Sequence, residues 1–145
     1  EEAMSNALRN LALKQPDLYP ELLVPGELEE DGIYGTPDDL ALDPLEDEVY
    51  EYKFSFQSLT KTPPGTRLKY LWQIKGYCHM LRTRKAALIE LYGCGDYRPP
   101  KPAGPFGHHL VFEQEELDRN WAMLLNGAED YRRAHGIPVP GTRST

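Results

Sequence analysis

A mixed α/β fold, with a mixed central β-sheet flanked by helices, is predicted from three observations. Both ends of the chain carry apolar residues at helical spacing. The stretch from Val49 to Phe56 alternates in the manner of a strand with two unlike faces. A third helical stripe, over residues 67–84, runs straight into a short apolar segment with the length of a buried strand.

The first helix is placed over Glu2 to Gln15, where Ala3, Met4, Ala7, Leu8, Leu11 and Ala12 share one face and Pro16 and Pro20 end the pattern. Short extended segments follow at 24–28 and 32–34. Gly35-Thr36-Pro37 makes a bend, and a strand resumes at Leu40 to Leu42. An acidic turn from Asp43 leads into Val49 to Phe56, so the two strands form a hairpin. Val49, Glu51, Lys53 and Ser55 lie on one face of the second strand, and Tyr50, Tyr52, Phe54 and Phe56 on the other. After a loop at 58–66, Leu71, Ile74, Cys78 and Leu81 mark a core stripe on the second helix. A buried strand at 86–92, a Pro- and Gly-rich loop at 93–107 and a strand at 109–112 come next. The last helix, over 113–135, has an acidic first turn that suits the helix dipole, and Asn126-Gly127 predicts a kink or break in it. The expected order is α-β-β-β-α-β-β-α. It gives a single domain over 1–135 and a loose C-terminal tail over 136–145.

A chain of 145 residues is long enough for one domain with a real core. No apolar run approaches the roughly 18 residues of a membrane span, and no signal-peptide pattern opens the chain. The two cysteines, Cys78 and Cys94, are too few for a disulfide framework or an iron–sulfur cluster. A reduced, intracellular setting is expected, and the start at Glu1 without a methionine reads as a trimmed fragment.

Charge divides the chain. Residues 1–60 hold 3 basic and 15 acidic residues, net −12, whereas 61–145 hold 13 and 8, net +5. No acid falls between Tyr52 and Ile89, a tract that contains Lys53, Lys61, Arg67, Lys69, Lys75, Arg82, Arg84 and Lys85. This asymmetry fits one surface for cations and another for polyanions; two oppositely charged solvated faces would read the same way.

The chemistry centres on the polar face of the 49–56 strand. Glu51 and Lys53 stand side by side there, because residues i and i+2 share a face. Asp38 sits on the preceding strand of the same hairpin. Two carboxylates from adjacent strands can hold a hard divalent cation, which prefers oxygen ligands. A lysine beside them adds positive charge for a phosphate in its transition state. Without a cation the carboxylates repel, and one pKa rises.

Gly35-Thr36-Pro37-Asp38, then Glu51-Tyr52-Lys53, then Gln73-Ile74-Lys75-Gly76-Tyr77 resemble the GxxD, ExK and QxxxY motifs of the PD-(D/E)xK nuclease superfamily. They are most similar to the branch of the RecB nuclease domain, lambda exonuclease and YqaJ-like viral recombinases. The resemblance covers about residues 32–92. It implies a restriction-endonuclease-like fold and a metal-dependent DNA nuclease, an exonuclease of phage or viral recombination, repair or DNA processing. The alternative is a DNA-binding or interaction domain that keeps the fold without turnover.

On this resemblance, Asp38 and Glu51 ligate Mg²⁺ or Mn²⁺, the Tyr52 carbonyl is a further ligand, and Lys53 is the catalytic lysine. Gln73 and Tyr77 support the site and contact DNA from one helix face, with Lys69 and Arg84 on that face and Lys61 and Lys75 near it. Relatives often add a Glu or His from the first helix to the metal site. Glu2 is the first candidate for that position and Glu21 the second. Asp39 stands where relatives often have glycine, which leaves open whether Asp38 or Asp39 faces the metal. Expected partners are single- or double-stranded DNA, a second copy of the chain or a recombination partner protein, with no membrane; a viral source would place the protein inside the host cell. His108-His109 is not read as a metal site, since adjacent strand residues face opposite ways. Cys78 is read as buried packing. Trp72 and Trp121 are read as core or interface residues rather than base-stacking groups.

Overall fold

A computed structural model describes residues 2–93 and 101–138. Helix α1 spans Glu2–Lys14. Five strands follow: β1 (Leu22–Leu23), β2 (Leu28–Glu30), β3 (Ile33–Gly35), β4 (Asp39–Ala41) and β5 (Glu48–Ser55). Helix α2 (Leu68–Leu81), β6 (Lys85–Tyr92), β7 (Ala103–Val111) and α3 (Gln114–His135) come after them. The architecture is the expected mixed α/β one. A five-stranded sheet runs in the order β1-β4-β5-β6-β7, and β2 and β3 form a separate hairpin. β5 and β6 are parallel, whereas the β1/β4, β4/β5 and β6/β7 pairs are antiparallel. A parallel pair needs a crossover connection, and α2 supplies it.

Register fixes what shares a face. Glu51 lies opposite Leu88 and Lys53 opposite Glu90, so Val49, Glu51, Lys53 and Ser55 join Ala86, Leu88, Glu90 and Tyr92 on one side of the sheet. Helices α2 and α3 cover one end of that side. Ile74, Tyr77 and Cys78 from α2 and Leu117 from α3 pack with Val49, Ala86, Leu88 and Phe112 into a buried cluster. Gly76 is buried on α2, where a β-carbon would stand 3.3 Å from Leu124 Cδ1, so its small size lets the two helices approach. The same sheet face is therefore apolar at one end of the strands and polar at the other. Among the described residues, no helix is long and apolar enough to cross a membrane.

Several expectations are corrected. The segment at 24–28 is not one strand: Pro25 lacks an N–H and Gly26 takes a left-handed φ of 76°, so β1 and β2 form on either side. Five strands, not three, therefore precede α2. The predicted loop at 93–107 is partly strand, because β7 already pairs at Ala103 with Tyr92 and at Phe106 with Glu90. Its Gly and Pro content is tolerated on an edge strand, which needs ladder hydrogen bonds on one side only. Helix α3 runs unbroken through Asn126-Gly127. One interior glycine costs only about 1 kcal/mol relative to alanine, and 22 residues of helix absorb it. Trp121 is buried as expected, but Trp72 is 43% exposed and is not a core residue. Glu1, Cys94 with the rest of 94–100, and the tail beyond residue 138 lie outside the described residues.

Candidate active site

β5 carries the site into the sheet interior. Glu51 is only 2% exposed, and its Oε1 accepts the Asp38 N–H at 3.2 Å. Asp38 answers across the gap: its Oδ2 accepts the Tyr52 N–H at 2.9 Å. These two reciprocal bonds hold the carboxylate-bearing segment before β4 against the middle of β5. A strand residue's N–H and C=O point to the same side. The Tyr52 carbonyl therefore faces the Asp38 side, and β4 starts only at Asp39 opposite Tyr50, so no β4 residue pairs with Tyr52 there.

Parity separates Asp38 from Asp39. Asp39 turns to the opposite face, where it is fully buried. The Tyr52 hydroxyl donates to its Oδ2 at 2.8 Å, Ser5 Oγ donates to the same oxygen at 2.5 Å, and Arg9 Nε reaches Oδ1 at 3.1 Å. Helix α1 thus docks on that face through Ser5 and Arg9, not at Asp38 and Glu51. Glu2 and Glu21 are both exposed. Among the described residues no group of three or more His, Cys, Asp or Glu side chains that could hold a metal ion is formed.

Lys53 is held from two sides. Its Nζ lies 3.3 Å from Glu51 Oε2 and donates to Gln73 Oε1 at 2.9 Å. Lysine offers only donors, so the Gln73 carbonyl must face it, and the Gln73 amide nitrogen then donates to the Tyr77 hydroxyl at 2.8 Å. Tyr77 also has a backbone hydrogen bond at Thr36, within the Gly35–Asp38 turn. A β-carbon at Gly35 would overlap the Tyr77 ring, so the glycine makes room for this link. All three sequence motifs are therefore joined in one hydrogen-bonded chain. An ammonium has three protons, and Glu51 and Gln73 engage two of them, leaving one for a ligand.

Burial raises the Glu51 pKa from its ordinary 4.5 to about 8, and the Asp38 charge adds to this, against the lowering effect of Lys53. The anion is thus poorly stabilised as it stands, and an added cation would favour it. Tyr77 is also raised, by burial first and by the Glu51 charge second.

Other predicted site residues fall elsewhere. Helix α2 ends at Leu81, with Arg82 as a left-handed cap, so Arg84 is not on its face. It sits at the far end of β6, where its backbone N–H donates to Glu46 Oε1 at 2.7 Å and its Nε lies 3.8 Å from that oxygen. Lys53 pairs with Glu90, so Arg84 is displaced six residues along the strand, about 20 Å at about 3.3 Å per residue. Lys75 is bound to Glu116 at 2.7 Å and lies over Phe112. Lys69 and Lys61 are exposed. His108 and His109 do diverge: His109 meets Glu48 at 2.9 Å, and His108 Nε2 comes to 3.7 Å from Glu90. Cys78 is fully buried, and burial pushes its thiol up to about 12, which leaves it no use as a nucleophile.

Three residues near the site were not foreseen. Tyr70 places its ring 5.2 Å from Lys53 Nζ and 5.0 Å from the Arg67 guanidinium. Its spacing of three from Gln73 and seven from Tyr77 was the available signal. Arg67 donates to the Tyr70 hydroxyl at 2.7 Å and to Ser55 Oγ at 3.3 Å. Glu90, a lone acid in an apolar run, is 3% exposed and accepts the Gly65 N–H at 2.5 Å, which ties the 58–66 loop to the sheet.

No protein-family model matches the chain, and no curated protein matches it. Two solved structures are similar. The crystal structure of SSO0001 shares 15% identity with a TM-score of 0.54, covering 89% of this chain and 56% of that one. An alkaline exonuclease, LHK-Exo from Laribacter hongkongensis, shares 14% identity with a TM-score of 0.48, covering 93% of this chain and 70% of that one. At such identity the first likeness speaks for the fold alone. This chain spans little more than half of SSO0001.

Proposed function

We propose that the chain is a divalent-metal-dependent nuclease that hydrolyses phosphodiester bonds in DNA. The observation that carries this is the convergence of Asp38, Glu51 and Lys53, with Lys53 tied through Gln73 to Tyr77. The match of these positions to the PD-(D/E)xK motifs supports the reading.

The donor set fits Mg²⁺ or Mn²⁺. Asp38, Glu51 and the Tyr52 carbonyl are hard oxygen donors, and Mg²⁺ is commonly held by one or two carboxylates with water and substrate phosphate completing its shell. Burial first, and the Asp38 charge with it, raise the Glu51 pKa, and a cation bound between the two carboxylates would offset both. When bound, the ion supplies Lewis acidity toward a phosphoryl oxygen. The chain's own groups do the rest. Glu51 and Gln73 hold Lys53 so that its remaining N–H meets charge developing on the phosphate. Tyr77 keeps the Gln73 amide in the orientation that Lys53 requires. The Tyr70 ring lies against both Lys53 and Arg67, so Arg67 brings a second cation near the site.

Cleavage of end-labelled and circular DNA, single- and double-stranded, across Mg²⁺, Mn²⁺ and chelator tests the reading. Metal-dependent cleavage that disappears in Lys53→Ala is expected; comparison of linear with circular substrate then distinguishes exonuclease from endonuclease. DNA binding without cleavage under any metal would leave the alternative, a binding domain on the same fold.

A further inference from the structure

Beside the Lys53 site lies a second concavity of about 380 Å³, between the β2–β3 hairpin, α2 and α3. Small-ligand sites occupy roughly 300–1,000 Å³. Its walls include Tyr34, Lys69, Trp72, Gln73, Tyr77 and Trp121. Two of these, Gln73 and Tyr77, also belong to the chain that holds Lys53, so the two sites share a wall. Of the aromatics that line it, Tyr34 and Trp72 are 67% and 43% exposed, so their rings are within reach of a ligand. Trp121 is held fast: its ring stacks on His79 at 4.1 Å and its Nε1 donates to Asp31 at 3.1 Å.

Charge limits what can occupy the concavity. Lys69 is exposed on the α2 side and makes no ion pair among the described residues. The hairpin on the other side carries Glu29, Glu30 and Asp31, with Glu27 just before it; among the described residues Glu30 alone of these forms ion pairs, with His79 and Arg82, while Arg132 donates to the Gly32 carbonyl at 3.1 Å. A phosphate backbone would therefore be favoured along Lys69 and repelled from the hairpin, whereas an uncharged ring could extend from that backbone toward Tyr34.

We infer that this concavity is a stacking site for one unpaired nucleobase of a single-stranded stretch, next to the phosphate addressed by Lys53. The inference rests on the nuclease reading for the position of that phosphate. Stacking uses the π-face that every base has, so base identity should matter little. The Gln73 amide, already engaged with Lys53 and Tyr77, offers little further hydrogen-bonding choice.

The test is binding of a fluorescein-labelled oligothymidylate, and of the same strand with abasic sugars, to the full chain in chelator, read by anisotropy. Trp72→Ala should weaken binding of the intact strand roughly 5- to 150-fold, the range of one base–aromatic stack. Trp72→Phe should recover most of it. The abasic strand should bind the parent weakly and gain nothing from Trp72. Tyr34→Ala, at the more exposed position, should weaken binding in the same direction and serves if Trp72→Ala lowers Tm. Equal binding of intact and abasic strands, loss-free binding by both alanine variants, or no binding of any oligonucleotide overturns the proposal. The two readings fail separately. Trp72-dependent binding with no cleavage in Mg²⁺ or Mn²⁺ removes the nuclease and leaves the pocket, whereas Lys53-dependent cleavage indifferent to Trp72 does the reverse.

Discussion

Asp38 and Asp39 are adjacent in sequence and identical in chemistry, yet they occupy opposite faces of the sheet and opposite circumstances. Asp39 is fully buried and receives hydrogen bonds from Ser5, Arg9 and the Tyr52 hydroxyl. It is a carboxylate whose charge is matched inside the protein. Asp38 is part-exposed and accepts one backbone N–H, from Tyr52, beside the buried Glu51. It is a carboxylate with lone pairs left over. Burial alone does not mark an acid with lone pairs to spare for a cation. The number of donors already satisfied by the protein does, and here the more buried of the two is the one that packs the fold together.

The largest effect that this contrast predicts is on turnover. Lys53→Ala should lower cleavage by about 100-fold or more, the scale of removing one donor to developing oxyanion charge. The same change should leave Tm within a few degrees, as measured by calorimetric scanning. A cleavage rate equal to the parent's would separate Lys53 from the chemistry.

Next in size is a pH dependence of stability. Glu51 has a folded pKa of about 8 against an ordinary 4.5. Below about pH 4.5 it is protonated in both states, and its burial is then uncharged. Between about pH 4.5 and 8 the unfolded chain ionises Glu51 while the folded protein keeps it protonated, so stability falls across that window and levels off above it. The loss in the metal-free protein is up to about 5 kcal/mol for a shift of this size. Denaturant titrations from pH 4.5 to 8.5 should show this decline, and Glu51→Gln should flatten it. A parent protein whose stability rises over that interval would contradict the assigned environment.

Asp39 should behave in the opposite way to Asp38. Asp39→Ala strands the Tyr52 hydroxyl and part of the Arg9 charge, and should cost about 3 kcal/mol, or roughly 6–12 °C in Tm. Asp38→Asn should leave Tm unchanged or slightly raised, since it relieves repulsion of Glu51. Thermal scans of the two variants side by side reveal whether the neighbours divide structure from chemistry as described.

The smallest effect separates the two ends of α2 and β6. Lys69→Glu should reduce the slope of log affinity against log salt for DNA by about 1, as one phosphate contact is lost. Arg84→Glu should leave the slope unchanged, because that guanidinium lies at the far end of β6 against Glu46. A matching loss from Arg84 would bring DNA across a surface that this account leaves out.

Much of this was legible in the sequence because the relevant rules are short-range. Alternation over 49–56 placed Glu51 and Lys53 on one face, and the i, i+4 spacing placed Gln73 with Tyr77; both pairs meet as the periods require. The GxxD spacing favours Asp38 over Asp39, but which face each acid takes needs the register of β4 on β5, which no local pattern supplies. Arg84 was misplaced because its helix ends at Leu81, a boundary set by the left-handed Arg82. The charge asymmetry overstated the basic surface: Lys75, Arg82 and Arg84 meet acids from distant segments, and those pairings are tertiary. Trp72 was read as buried or interfacial from its residue type, but its turn of α2 faces an open concavity.

In the proposed site Asp38 and Glu51 together would hold a divalent cation, and Asp39 would not. Calorimetric titration of Mn²⁺ into the parent, Asp38→Asn, Glu51→Gln, Asp39→Asn and Lys53→Ala tests it most directly. The account predicts binding by the parent with proton release below about pH 8, as Glu51 gives up its proton. It predicts loss of binding in Asp38→Asn and Glu51→Gln, and retained or modestly tighter binding in Lys53→Ala. Folded Asp39→Asn should bind as the parent does. A parent that takes up no Mn²⁺, or an Asp38→Asn variant that binds it as the parent does, would contradict the account.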